Sequence, residues 1–234
     1  MTKRILGILG GMGPEATVDF YREIVSLTPA SRDQDHIPTL IHSNTMIPDR
    51  TAAILGCGTD PFPLLLESAR LLEHAGAGII AIPCNTAHHY LEQLREQMSV
   101  PILNMIGEVL RELRTRYPDT STVGLLASTG TVSARIYQSA FEPAGIAVST
   151  PRQADQDHVM TAIRDVKAGR NYAENRRRLI DVCVNLEASG AEAVVLGCTE
   201  LPLLLNEIPV GIPVLNSTRI LAQAAVDWAL EGRQ

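Results

Sequence analysis

The chain has 234 residues, of which 45% are hydrophobic and 4% aromatic, and a formal net charge of −6. This is an ordinary globular composition, neither disordered nor disulfide-stapled, whose interior must be filled by Leu, Ile, Val and Ala. Acids and bases are mixed along the chain, and the one short basic run, Arg176 to Arg178, falls in an expected exposed helix over 172–188, where a solvated face is the simple reading; no nucleic-acid partner is expected.

The amino terminus passes from Met1-Thr2-Lys3-Arg4 straight into a strand-like run. It has no apolar stretch long enough for a signal or a membrane span. A cytoplasmic location and no membrane partner are the expectations. Short apolar runs then alternate with longer amphipathic stretches, the pattern of parallel sheets covered by helices. Strands are predicted over 4–9, 39–43, 78–82 and 102–104, and again over 122–126, 147–150, 193–196 and 214–216. Pro14 opens a helix that runs to Leu27, Gly76 closes one that starts at Phe62, and a last helix over 218–230 is expected to return to the first half.

The two strand series match each other, at offsets from 117 (Gly7 to Gly124) to 112 (Pro101 to Pro213). Gly7-Ile8-Leu9 aligns with Gly124-Leu125-Leu126, and Pro101-Ile102-Leu103-Asn104 with Pro213-Val214-Leu215-Asn216. Between them, Ile79 to Thr86 aligns with Ala193 to Thr199 and places a cysteine just past an apolar strand in both halves. Such self-similarity indicates an internal duplication. The expected fold is α/β, with two pseudosymmetric lobes, each a four-stranded parallel sheet flanked by helices, and the site in the cleft between them. The lobes are placed at 1–105 with 217–234, and at 106–216.

Parallel sheets bind ligands beyond the carboxyl ends of their strands, where helix starts present N–H groups. Cys84 and Cys198 both fall at that edge, so two facing lobes would hold the thiols across one cleft. A thiol titrates near pH 8.5, and a helix N-terminus or a cation can lower that value. One cysteine can then act as base and the other as acid on a single carbon. Asn85, Thr86 and Thr199 offer donors for a carboxylate on that carbon.

Other features have simpler readings. Gly11-Met12-Gly13-Pro14-Glu15-Ala16 fits a dinucleotide pattern, but Asn44 stands where the ribose-binding acid would follow the next strand, and Pro14 removes an amide. The loop is expected to shape the cleft. His88 and His89 lack further ligands at metal spacing, and the four cysteines show neither CxxC nor zinc-knuckle spacing. Cys57 and Cys183 read as structural. Lys167 could serve the site or a helix dipole, and Glu200 could be a helix-start acid or a catalytic neighbour.

Three ordered motifs, Gly10-Gly11-Met12-Gly13-Pro14-Glu15-Ala16-Thr17, Pro83-Cys84-Asn85-Thr86-Ala87-His88 and Gly197-Cys198-Thr199-Glu200-Leu201-Pro202, resemble the aspartate/glutamate racemase superfamily, and its aspartate racemase branch most. The resemblance runs from end to end. It implies racemisation without pyridoxal phosphate or any other cofactor, and usually a homodimer acting on a small amino acid. Cys84 and Cys198 match the paired catalytic cysteines, with Cys198 taking the proton from the L-enantiomer and Cys84 from the D-enantiomer. Arg50, after Ile47-Pro48-Asp49, and Lys167, before Ala168-Gly169, match substrate-contacting cations. Met12, Asn85, Thr86, Ser128, Thr129, Gly130, Thr131, Thr199 and Glu200 complete the expected site. Cell-wall glutamate racemases carry an Asp in the first glycine loop and a His after Cys-Thr. Here glycine or Met12 and Glu200 occupy those places, so those helpers do not carry over. Aspartate, then glutamate, is the expected substrate. A broad-specificity racemase, a maleate-isomerase-like enzyme and a non-enzymatic amino-acid sensor stay open.

Overall fold

The computed structural model describes residues 4–170, 172–205 and 210–231. Met1, Thr2 and Lys3, read above as leading into the first strand, and residues 232–234 of the last predicted segment lie outside them. In chain order the strands are β1 (Leu6–Gly10), β2 (Thr39–Ser43), β3 (Ile79–Ala81), β4 (Thr122–Ala127), β5 (Ala147–Ser149), β6 (Ala193–Gly197) and β7 (Val214–Asn216). They form two parallel sheets, β2-β1-β3 and β5-β4-β6-β7. β1, β3 and β6 are buried at every residue, as expected for parallel strands covered on both faces.

The helices are α1 (Pro14–Leu27), α2 (Arg50–Ile54), α3 (Phe62–His74), α4 (Leu91–Arg95), α5 (Met105–Arg116), α6 (Thr129–Ser133), α7 (Ile136–Phe141), α8 (Gln153–Lys167), α9 (Tyr172–Ala188) and α10 (Ser217–Glu231). Pro14 stands in the first turn of α1, where its missing N–H costs nothing. The basic run lies in α9, where Arg178 pairs with Glu174 and Arg176 donates to Leu204 O. Among the described residues no helix is long and apolar enough to cross a membrane.

The first sheet has three strands, not the expected four. Segment 102–104 meets β3 through one parallel bridge, Ile80 to Ile102. Asn104 ends that ladder because it caps α5, its Oδ1 accepting from Ile106 N–H and Gly107 N–H; Pro101, on the other side, has no N–H to extend it.

The two halves repeat each other in detail. β1 and β4 are each flanked by the next two strands, and Gly7 pairs with Ile80 as Gly124 pairs with Val194. The Ile80–Ile102 bridge has its counterpart in Val194–Val214, and both Pro101 O and Pro213 O accept from the strand alongside. A Cβ on Gly7 would stand 2.9 Å from Ala77 Cβ, and one on Gly124 would stand 3.3 Å from Ala191 Cβ and 3.1 Å from Leu186. Both glycines therefore let the end of a helix and the segment that follows it lie close on the sheet. α3 and α9 also stop alike, on Gly76 and Gly190, each at φ +96, the left-handed conformation that glycine adopts most readily. The last helix returns as expected: Leu221, Ala222, Ala225 and Val226 of α10 share a core with Leu6, Ile8, Phe20 and Ile24.

Candidate active site

Cys84 follows β3 and Cys198 follows β6 directly, so the repeated frame carries both to the carboxyl edges of their sheets. They are buried, 5% and 8% exposed, and both line one cavity of about 220 Å³. Its walls come from both halves: Met12, Arg50, Asn85 and Thr86 from the first, Ser128, Lys167, Thr199 and Glu200 from the second. A more open vestibule of about 460 Å³ shares Met12, Asp49, Arg50, Lys167 and Glu200 with it.

Three expected residues are not among those lining the cavity. Thr129, Gly130 and Thr131 form the first turn of α6, which packs on α2; a Cβ on Gly130 would fall 2.8 Å from Thr51 Cα. Thr131 is fully buried and its hydroxyl is turned to Thr86 and Ser128. In their place α8 supplies Met160, Ile163 and Arg164 beside Lys167, and α2 supplies Thr51 after Asp49. The spacing 160, 163, 164, 167 is one helical face, a signal that could have found them.

Beneath the cavity the polar side chains are committed to one another. Tyr137 donates to Asn85 Oδ1 at 2.6 Å, Asn85 Nδ2 to Ser217 Oγ at 3.1 Å, and Ser217 to Leu196 O at 2.7 Å. Thr86, Ser128 and Thr131 close a triangle of hydroxyls at 2.9, 2.9 and 3.1 Å across the seam between the halves. The carbonyl of Asn85, one of its two amide N–H groups and the hydroxyl of Thr86 thus serve the scaffold.

His88 is a scaffold residue too. Met105 N–H donates to its Nε2 at 3.1 Å, which leaves the ring proton on Nδ1 to donate to Cys84 O at 2.9 Å. Burial lowers its pKa to about 4, so the ring is neutral and fixes the backbone at Cys84. Among the described residues no group of three His, Cys, Asp or Glu could hold a metal ion.

The two thiols have unlike neighbours. Cys198 Sγ donates to Glu200 Oε2 at 3.0 Å, and Glu200 is itself 3% exposed. Lys167 Nζ lies 3.8 Å from Glu200 Oε1. Burial, and then the Glu200 charge, push the Cys198 thiol well above its usual value, with Lys167 pulling the other way. This reverses the expectation that a helix start or cation would lower it, because the thiol is buried and the nearest charge is an anion. Burial disfavours the Lys167 charge, but Glu200 and the two cysteines outweigh it and hold the ammonium above its usual range.

Arg50 begins α2, whose cap is the Asp49 carboxylate accepting from Ala52 N–H at 2.7 Å. Its guanidinium is 7% exposed and donates to the carbonyls of Ile47, Pro48 and Met12, while Nε is buried without a hydrogen-bond partner. The glycine loop is filled by the protein itself. A Cβ on Gly11 would meet the Asn44 backbone at 2.4 Å, one on Gly10 the Thr17 side chain at 2.3 Å, and Thr17 Oγ1 accepts from Gly11 N–H at 2.9 Å. Cys183 sits in the core, its thiol pushed up to about 12 by burial; Cys57 is exposed, in the turn after α2.

Comparison with known proteins agrees with this geometry. A model of the Asp/Glu/hydantoin racemase family matches residues 9–225. A broad-specificity amino-acid racemase, RacX of Bacillus subtilis (strain 168), is 29% identical over 97% of this chain and 98% of its own length. The solved structure of Picrophilus torridus aspartate racemase superposes with a TM-score of 0.85 at 33% identity, covering 98% of each chain. A glutamate racemase from Francisella tularensis shares the fold, with a TM-score of 0.73 at 14% identity over 99% of this chain and 82% of that one. The chain belongs to the Asp/Glu/hydantoin racemase family and is an isomerase of that family.

Proposed function

We propose that the protein racemises an acidic amino acid, aspartate first and glutamate second, by proton transfer between Cys84 and Cys198. The observation that carries this reading is the pair of thiols, brought by equivalent strands of a duplicated fold to one small cavity. One thiolate removes the α-proton, the electron pair left on Cα spreads into the α-carboxylate, and the opposite thiol returns a proton to the other face. Both proton transfers are supplied by the thiols, with no cofactor in the scheme.

The growing negative charge calls for fixed donors. Arg50 and Lys167 are assigned to the substrate carboxylates, with Arg164 as a third cation on the cavity wall. Met12, Ser128 and Thr199 border the substrate, and Asn85 and Thr86 are assigned to the α-carboxylate, with the second side-chain N–H of Asn85 as one donor. Cys198 is assigned to the L-enantiomer and Cys84 to the D-enantiomer. The lobes are taken as 1–105 with 217–234, and 106–216, a division supported by the packing of α10 on the first sheet's helices. A cytoplasmic homodimer completes the proposal.

The relative named as a broad-specificity racemase, which spans nearly the whole chain, favours a second reading with neutral or basic substrates; a few wall contacts separate the two. The test is proton NMR of L- and D-aspartate in deuterated water, with wild type, Cys84→Ser and Cys198→Ser. Racemisation is expected in wild type and in neither variant, with exchange of the α-proton of one enantiomer surviving in each. Full racemisation by either variant refutes the two-thiol scheme, and a panel of other amino acids decides substrate breadth.

A further inference from the structure

Glu200 has no task in the scheme above, yet it is buried in the reaction cavity beside one of the two thiols. Its Oε2 accepts from Cys198 Sγ at 3.0 Å, and its Oε1 has no hydrogen-bond partner, only Lys167 Nζ at 3.8 Å. A thiolate and a carboxylate at that separation, shielded from water, repel strongly, so one proton must lie between them. Carboxylates hold protons far more weakly than thiols do, with ordinary values of about 4.3 and 8.5. The proton therefore belongs to sulfur. The Lys167 ammonium keeps Glu200 charged, and although it also draws the sulfur toward the thiolate, the carboxylate is the group in direct contact with Cys198 Sγ. The other titratable and charged groups facing Cys198 are the Tyr137 hydroxyl, bound to Asn85, and Cys84 across the cavity, with Asp49, Arg50 and Arg164 on the walls. Cys84 has no carboxylate hydrogen-bonded to its sulfur among the described residues; Asp49 caps α2.

We propose that Glu200 is a positioning residue that keeps Cys198 as the proton donor of the resting enzyme, so that the working thiolate is carried by Cys84. This rests on the two-thiol reading and adds a direction to it. From the resting form, the Cα–H bond breaks and its proton goes to Cys84 Sγ. The Cys198 S–H bond then breaks, its proton joins the electron pair on Cα from the other face, and the sulfur keeps the S–H electrons as thiolate. After product leaves, the proton on Cys84 is lost to water and Cys198 takes one back, drawn by Glu200. The second direction starts from the rarer form with the proton on Cys84. Enantiomers have equal free energies, so kcat/KM is the same for both, and the asymmetry appears in kcat and KM separately.

The test follows alkylation of each cysteine by iodoacetamide against pH, read by peptide mass spectrometry, in wild type, Glu200→Gln and Glu200→Asp. A neighbouring carboxylate shifts an ionisation by one pH unit or more. Cys198 in Glu200→Gln is accordingly expected to react at least about tenfold faster at pH 7.5, with Cys84 changed far less. Glu200→Asp, which keeps the charge, should stay near wild type. The alkaline limb of kcat/KM for aspartate should move to lower pH by the same interval in Glu200→Gln and not in Glu200→Asp. A Cys198 rate within twofold of wild type in folded Glu200→Gln overturns the proposal. Should that variant not fold, Glu200→Ala removes the same charge: Cys198 alkylation at least about tenfold faster than in wild type supports the proposal, and a rate within twofold of wild type overturns it. Alkylation needs no turnover, so these outcomes are independent of whether the NMR experiment finds racemisation.

Discussion

Replacing His88 by glutamine separates the cost of burying an ionisable ring from the hydrogen bonds that the ring makes. An unfolded histidine titrates near pH 6.5, whereas burial lowers that of His88 to about 4. Between these values the unfolded chain binds a proton that the folded chain refuses. The contribution to stability is complete above about pH 6.5 and is lost as pH falls toward 4. At about 1.4 kcal/mol per pH unit, the whole interval corresponds to about 3 kcal/mol, a large part of the roughly 5–15 kcal/mol that holds a domain together. A glutamine amide can donate to Cys84 O and accept from Met105 N–H, the two bonds of the imidazole, but it does not titrate. Urea unfolding of both proteins at pH 7.5, 6.5, 5.5 and 4.5 measures the difference, and the titrations common to both cancel. Wild type is expected to be more stable at pH 7.5 by about 1–2 kcal/mol, with the advantage shrinking and then reversing by pH 4.5. A difference that stays constant with pH would refute the assignment of His88 as a neutral, enclosed ring.

Tyr137→Phe removes the hydroxyl that donates to Asn85 Oδ1 and leaves a buried carbonyl unpaired. The expected loss is about 1–3 kcal/mol in urea unfolding, with a fall in kcat because Asn85 adjoins Cys84. Gly7→Ala places a Cβ 2.9 Å from Ala77 Cβ, in the segment between α3 and β3, and Gly124→Ala places one 3.1 Å from Leu186 of α9; each should lower stability by about 1–3 kcal/mol. The shorter approach at Gly7, 2.9 Å against 3.1 Å, makes it the costlier change in thermal unfolding, and an unchanged midpoint for both would contradict the close-packing account.

Much of the frame was readable in one dimension because its determinants are local. Apolar runs without alternation mark covered parallel strands, Pro14 marks a helix start, and Gly76 marks a stop; α1 and α9 fall on the expected residues. The pairing of Cys84 with Cys198 in one cavity was also accessible, since a duplicated strand leads into each. What escaped depends on choices made in space. Asn104 could extend a strand or cap a helix, and capping won. Asn85 looks like a free amide until Tyr137, 52 positions away, claims its carbonyl. The face of α8 bearing Met160, Ile163 and Arg164 has the right spacing, but spacing does not say whether a face meets a cavity or a core. Glu200 was visible two residues from Cys198, yet only its rotamer reveals that it confronts the sulfur and raises, instead of lowering, the thiol's hold on its proton.

The ring of Thr86, Ser128 and Thr131 ties the halves together without a formal charge. Hydroxyls of this kind neither titrate between acid and mildly alkaline conditions nor lose strength to dissolved ions, as surface ion pairs do. Their protons can circulate in either sense around the ring, so the fastening tolerates a reversal of its own polarity. The alignment of the opposed sulfurs is therefore insulated from the proton traffic that passes beside it.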